Sequence, residues 1–79
     1  MKNTLDITVI ILTFNEEKNL AFALQNIKDF CSKILVLDSF STDSTISIAK
    51  SYGAQVFQRK FDNFSNQRKY ALEHLPIST

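Results

Sequence analysis

Two short polar clusters hold most of the side chains able to do chemistry in this chain, Thr13-Phe14-Asn15-Glu16-Glu17 and Asp38-Ser39-Phe40-Ser41-Thr42-Asp43. Carboxylates, an amide, hydroxyls and aromatic rings in this density suit recognition of a nucleoside, offering donors and acceptors to base and ribose and a ring for stacking. Each cluster closes an apolar run, residues 7–12 before the first and 34–37 before the second. Runs this short, rich in Val and Ile, read as buried strands, and helical spacing follows each, so the pattern is one of successive βα units in a parallel sheet. Ligands of such sheets bind in the crevice at the carboxyl ends of the strands, where both clusters fall.

The elements that must position the clusters can be read outward from them. Asn15 is suited to cap a first helix whose opening turn holds Glu16 and Glu17, carboxylates favoured at the positive end of the helix dipole. Leu20, Leu24, Ile27 and Cys31 recur at helical spacing and give that helix one apolar face. A second strand covers residues 33–37, and Ser41 or Thr42 caps a second helix with Ile46, Ile48, Ala49 and Tyr52 toward the core. Gly53, the only glycine, ends it in a left-handed conformation. A third strand at 55–58, a polar connection at 59–63 and a third helix at 64–75 complete the pattern, with Phe64, Arg68, Ala71, Leu72 and Leu75 near one face and Pro76 past its end. Right-handed crossovers predict an α/β fold of βαβαβα order with a three-stranded parallel sheet in the order 3-2-1. The most hydrophobic strand then lies at an edge, which points to a missing fourth strand and to self-association through the exposed first one.

Composition bounds the rest. Seventy-nine residues make one small domain or a piece of one, and 44% hydrophobic content with seven Phe argues for a folded core. A net charge of +1 provides no field to attract nucleic acid or an anionic membrane. Cys31 is alone, which excludes an internal disulfide, and is read as a buried structural thiol. No stretch approaches the roughly 20 apolar residues needed to span a bilayer, so nothing in these residues is a membrane anchor.

Residues 9–17, Val-Ile-Ile-Leu-Thr-Phe-Asn-Glu-Glu, closely resemble the opening strand and turn of family 2 glycosyltransferases, and residues 36–45, Val-Leu-Asp-Ser-Phe-Ser-Thr-Asp-Ser-Thr, resemble their second signature. With Ile48-Ala49-Lys50 and Tyr52-Gly53-Ala54 the likeness extends over nearly the whole chain, and residues 61–72 are similar to a subgroup that includes glycosyltransferases of lipopolysaccharide core synthesis. The resemblance implies a partial GT-A, Rossmann-like fold and inverting transfer of a sugar from a nucleotide-sugar donor, most often a UDP-sugar. It also implies a glycan or lipid-linked acceptor, and a place in the cytoplasm or peripherally at the inner membrane for the full-length parent. Carried over by residue, Asp38 would accept from the ring N–H of uracil, Thr13, Phe14 and Glu16 would meet base and ribose, and Arg68, with Lys69 as the weaker candidate, would oppose the diphosphate charge.

Each of these residues also has a plainer role. Asp38 taken alone is a turn cap, Asn15 a helix cap, Asp43 a first-turn carboxylate, Glu17 a solvated charge and His74 a surface residue, while Phe14 divides evenly between core and ligand. Two departures from the family pattern stand out. Phe40 replaces the usual glycine, so the backbone there is expected not to need a positive φ, and Leu12 stands where proline is usual. The family's Asp-x-Asp motif, which holds a divalent metal (Mn or Mg), and its later general base are not among these residues. Residues 1–79 are therefore expected to form the N-terminal nucleotide-binding part of a glycosyltransferase domain, with no catalytic residue, no metal bound by this chain alone and no activity alone. The alternative from the residues is a non-enzymatic α/β signalling or regulatory nucleotide-binding module; a dinucleotide fold ranks below it, because one glycine cannot make a Gly-x-Gly-x-x-Gly loop.

Overall fold

A computed structural model describes residues 7–75. The elements alternate as expected: β1 (Thr8–Thr13), α1 (Glu17–Ile27), β2 (Lys33–Asp38), α2 (Thr45–Ser51), β3 (Gln55–Gln58) and α3 (Phe64–His74). The strands form one parallel sheet in the order β1-β2-β3, with Thr13 beside Asp38 and Asp38 beside Gln58 in register. Both polar clusters therefore meet at one end of the sheet. Among the described strands β1 has a neighbour on one side only.

Period-two alternation along β2 divides the core in two. Ile34 and Val36 face α1 and α2, where Leu20, Leu24, Cys31, Ala49 and Ala54 close the layer; Leu35 and Leu37 face α3, against Ala71 and Leu75. Residues 34–38 of β2 are all buried, whereas β1, with one neighbour, is half-buried from Thr8 to Leu12. Cys31 is a buried free thiol whose Sγ donates to the Ile27 carbonyl at 3.4 Å, in keeping with a structural role.

The structure corrects three local expectations. α3 buries Gln67, Ala71 and Leu75, spaced four apart, and leaves Phe64 71% and Leu72 62% exposed, with Arg68 also outward. Among the described residues one helix covers that side of the sheet, and Arg68 and Leu72 lie about 100° around it from the buried stripe. Pro76 lies outside the described residues. The cap positions also move: Glu16 and Ser44, not Asn15 and Ser41 or Thr42, precede α1 and α2, and neither makes a side-chain cap bond. Asn15, Ser41 and Thr42 are instead engaged between the two loops, as described below. Among the described helices only α3 has a side-chain N-cap of its own, Asn63 Oδ1 accepting from the Asn66 N–H at 2.8 Å.

The third correction concerns Phe40. Its φ is +59°, in the left-handed region, so the backbone keeps the conformation that glycine favours although the side chain does not. Gly53 ends α2 with φ +80°, as its position predicts, and the Gly53 and Ala54 N–H groups return to the Lys50 and Ala49 carbonyls at 3.0 and 3.1 Å. A Cβ at Gly53 would meet nothing within 4 Å, so the cost of substitution there is one of backbone conformation alone. Gly53→Ala should therefore destabilise by about 1 kcal/mol, and Phe40→Gly should stabilise by about 0.5–1 kcal/mol. Urea unfolding of the two variants beside the parent chain measures both; a Phe40→Gly variant less stable than its parent would mean that the ring contributes more than the strained φ costs.

Candidate functional site

The two loops at the carboxyl end of the sheet are laced together by side chains that face α1 and α2. Asp38, wholly buried, is the centre of this arrangement. Its Oδ1 accepts from the Thr13 hydroxyl at 2.6 Å and the Ser41 hydroxyl at 2.5 Å; its Oδ2 accepts from the Ser41 N–H at 2.7 Å and, more loosely, the Gln58 amide at 3.4 Å. The Ser41 hydroxyl in turn accepts from the Asn15 N–H at 2.8 Å, and Asn15 Oδ1 accepts from the Thr42 N–H at 2.8 Å. Asn15 has φ +50°, a left-handed turn that asparagine tolerates and that lets it face the second loop.

Beyond this pair the starts of the two helices serve each other. The Glu16 N–H donates to Thr45 Oγ1 at 2.8 Å and the Glu17 N–H to Asp43 Oδ2 at 3.2 Å, while Glu17 Oε1 accepts from the Ser44 N–H at 2.9 Å. Asp43 also accepts from the Thr45 N–H at 2.9 Å and from the Thr45 hydroxyl. Asp43 is therefore not the first-turn carboxylate expected, because α2 begins at Thr45 and Asp43 lies just before its cap; it accepts from the start of each helix instead, and Glu17 is not merely solvated but bonds to the start of α2.

The electrostatics follow from these bonds. Burial pushes the Asp38 carboxyl up, but the Ser41 and Thr13 hydroxyls, the Ser41 N–H and the Gln58 amide outweigh it and hold the group below the usual carboxylate range. At Asp43 a desolvation effect of the same sign is outweighed by the Thr45 hydroxyl and the Thr45 and Glu17 N–H groups, and the shift is again downward. Asp62 is lowered chiefly by its bond to Arg59, whose guanidinium is raised by the same contact.

On the α3 side of the sheet the same strand ends open into a cleft of about 420 Å³ lined by Leu12, Thr13, Phe14, Glu16, Ser39, Phe61, Phe64 and Gln67. That volume lies within the span of small-molecule sites, roughly 300–1,000 Å³. Thr13 and Gln67 are buried, whereas Phe14, Phe61 and Phe64 are 58%, 44% and 71% exposed, so the cleft has a polar floor and an aromatic rim. Phe61 and Phe64 meet edge to face, with ring centroids 5.1 Å apart. Of the residues singled out in the sequence, Thr13, Phe14 and Glu16 line this cleft; Asp38 lies behind it with its carboxylate bonded to the protein's own donors; Arg68 and Lys69 are exposed on α3 outside the lining. His74 is exposed and stacks on Tyr70 at 4.5 Å.

Sequence reasoning missed Ser39, Phe61, Phe64 and Gln67. A signal for Ser39 was present, because alternation that turns Ile34, Val36 and Asp38 to one face turns Leu35, Leu37 and Ser39 to the other. Gln67 was detectable as the residue four before Ala71 and eight before Leu75.

Residues 8–75 match the sequence pattern described as glycosyl transferase family 2. The chain belongs to that family. Among its relatives, an uncharacterised glycosyltransferase of Rickettsia typhi is 35% identical over 65 residues, 82% of this chain and 22% of that protein. The SPbeta prophage-derived glycosyltransferase SunS of Bacillus subtilis is 38% identical over 69 residues, 87% of this chain and 16% of that protein. The 4,4'-diaponeurosporenoate glycosyltransferase of Staphylococcus haemolyticus is 36% identical over 67 residues, 82% of this chain and 18% of that protein. The chain spans less than a quarter of the length of these relatives. Among the described residues no group of three His, Cys, Asp or Glu side chains is placed to hold a metal ion, so the residues present do not fit the divalent cation that the family resemblance implies. Among them, too, no helix is long and apolar enough to cross a membrane.

The Asp38 hub predicts a pH-dependent stability. Its folded-state pKa is depressed, so its contribution is fully present above the unfolded value, roughly pH 4, and is lost as pH falls through the lower folded value. Asp38→Asn, which turns an acceptor into a donor facing donors, should cost about 2 kcal/mol at neutral pH and should flatten the acid limb of the stability profile. Urea midpoints from pH 7 down to pH 3 test this; parallel profiles for parent and variant would remove Asp38 from the hub.

Proposed function

We propose that this glycosyltransferase chain forms the nucleoside-binding part of an inverting, nucleotide-sugar-dependent enzyme that takes a UDP-sugar donor. The observation that carries the reading is the cleft at the carboxyl ends of β1 and β2, whose aromatic rim and polar floor suit a planar base with hydrogen-bonding edges. Phe14 covers one face of the base, Thr13 and Ser39 lie at its edge, and Glu16 at the mouth meets the ribose. Asp38 supports the site by holding Thr13 and Ser41, and reaches the base directly where one of those hydroxyls yields its bond. Arg68, exposed on α3, is assigned to the diphosphate.

The similarity of residues 61–72 to the lipopolysaccharide-core subgroup supports a glycan or lipid-linked acceptor in cell-envelope synthesis for the full-length protein, acting in the cytoplasm or at the inner face of a membrane. Residues 1–79 are read as its N-terminal nucleotide-binding part, with the metal-holding carboxylates and general base supplied elsewhere and no transfer by this chain alone. Amide chemical-shift titration with UDP tests the site: shifts should concentrate at Thr13, Phe14, Glu16, Ser39 and Gln67, and Phe14→Ala should weaken binding by about 1 kcal/mol through loss of stacking. Shifts absent from the cleft, or spread evenly over the chain, would overturn the nucleoside reading, and turnover of a UDP-sugar by the 79-residue protein would overturn its inactivity.

A further inference from the structure

We propose that Phe64 forms the second wall of the base site, so that a nucleobase in the cleft lies between the rings of Phe14 and Phe64. This rests on the nucleoside reading of the cleft and adds what meets the other face of the base. The lining divides by origin: Leu12, Thr13, Phe14 and Glu16 come from the end of β1 and the loop after it, whereas Phe61, Phe64 and Gln67 come from the approach to α3 and its start. Phe14 and Phe64 thus stand on two sides of the opening. Both rings are exposed, at 58% and 71%, and Phe61 beside Phe64 is 44% exposed. Single exposed rings are ordinary, but three that converge on one cleft mark a binding surface.

Folding does not account for Phe64. α3 packs through Gln67, Ala71 and Leu75, and Phe64 belongs to neither layer of the core. Among the described residues its ring contact is with Phe61, at 5.1 Å between centroids and 70° between planes. A ring met edge to face by one neighbour and still 71% exposed keeps a face free for a flat ligand. The segment that carries both rings is held before any ligand arrives. Asp62, between them, accepts from Arg59 Nη1 and Nη2 at 3.1 and 3.3 Å, from the Asn63 N–H at 2.7 Å and from Asn66 Nδ2 at 2.9 Å. Arg59 also donates to Oε1 of the buried Gln67 at 2.7 Å, and its N–H donates to the Asp38 carbonyl at 3.0 Å, which ties the segment to the end of β2. A wall fixed in this way loses little further freedom when a base stacks on it, so the contact is retained in the affinity. Uracil has two apolar faces. Phe14 takes one of them out of water, and Phe64 takes the other.

The ligand's own resonances test the wall, because a ring stacked on uracil moves its H5 and H6 signals upfield. UDP titrated with the parent chain should show that shift, together with NOEs from H5 and H6 to the ring protons of both Phe14 and Phe64. Phe64→Leu keeps an apolar side chain and removes the ring; it should lower UDP affinity about fivefold and cut the limiting upfield shift by about half, and Phe64→Tyr should restore both. A helix start that needed only apolar bulk would be served by leucine, so loss with leucine and rescue by tyrosine separate stacking from a structural role. If Phe14→Ala reduces the shift but Phe64→Leu leaves shift and affinity at the parent's values, with no NOE to Phe64, the second wall is overturned while the nucleoside site stands. The NOEs in the parent chain decide even should Phe64→Leu not fold. If UDP shows neither shift nor NOE with the parent chain, both readings fail.

Discussion

A carboxylate buried at the end of the central strand has to be satisfied from within the protein, and much of this structure is the means of satisfying it. Asp38 lies where β2 leaves the sheet, flanked in register by Thr13 and Gln58, and water does not reach it. An unpartnered charge there would be severely destabilising, so the residues that donate to it are not free to lie anywhere else. Thr13 must end β1 level with it, and Ser41 must fold back so that its hydroxyl and its N–H both reach the carboxylate. That return of the chain passes through Phe40, whose left-handed φ is the local cost of closing so short a loop around one side chain.

The same constraint explains what could and could not be read from the amino acids. β3 at Gln55–Gln58 and the left-handed end of α2 at Gly53 follow from local chemistry, the apolar pair Val56-Phe57 set between polar residues in one case and the absence of Cβ in the other. The sheet order follows from handedness once three βα units are recognised. The caps did not follow, because Asn15, Ser41 and Thr42 have the right chemistry for helix starts but find partners some 26 residues away, and no local preference ranks a distant partner against a near one. Phe40 was misjudged for a related reason. Side-chain identity reports what a residue prefers, whereas the loop around Asp38 dictates the φ that it gets.

The candidate site shows how alternation along a strand sorts roles. Asp38 and Ser39 are adjacent in sequence but face opposite sides of the sheet, one into the bonded seam between the loops and the other into the open cleft. Thr13, Phe14 and Glu16 were legible as cleft residues because they follow the first strand directly, whereas the α3 contribution was not, since Phe64 and Arg68 suggested a different buried stripe from the one Gln67 belongs to. A helix that packs through one residue per turn is difficult to phase from hydrophobicity alone.

The reciprocal service of α1 and α2 has a consequence for how such a protein can change. Glu16 and Glu17 N–H groups depend on Thr45 and Asp43, and the Ser44 and Thr42 N–H groups on Glu17 and Asn15. Inserting or deleting one residue in either loop would put these pairs out of step together, so drift in loop length is permitted only as a concerted event in two places. Diversification is far easier along the approach to α3, where residues 59–63 have no such counterpart obligation to the first loop. New ligand preferences should accordingly enter this scaffold through that third connection, leaving the two strand-end loops as its inherited chassis.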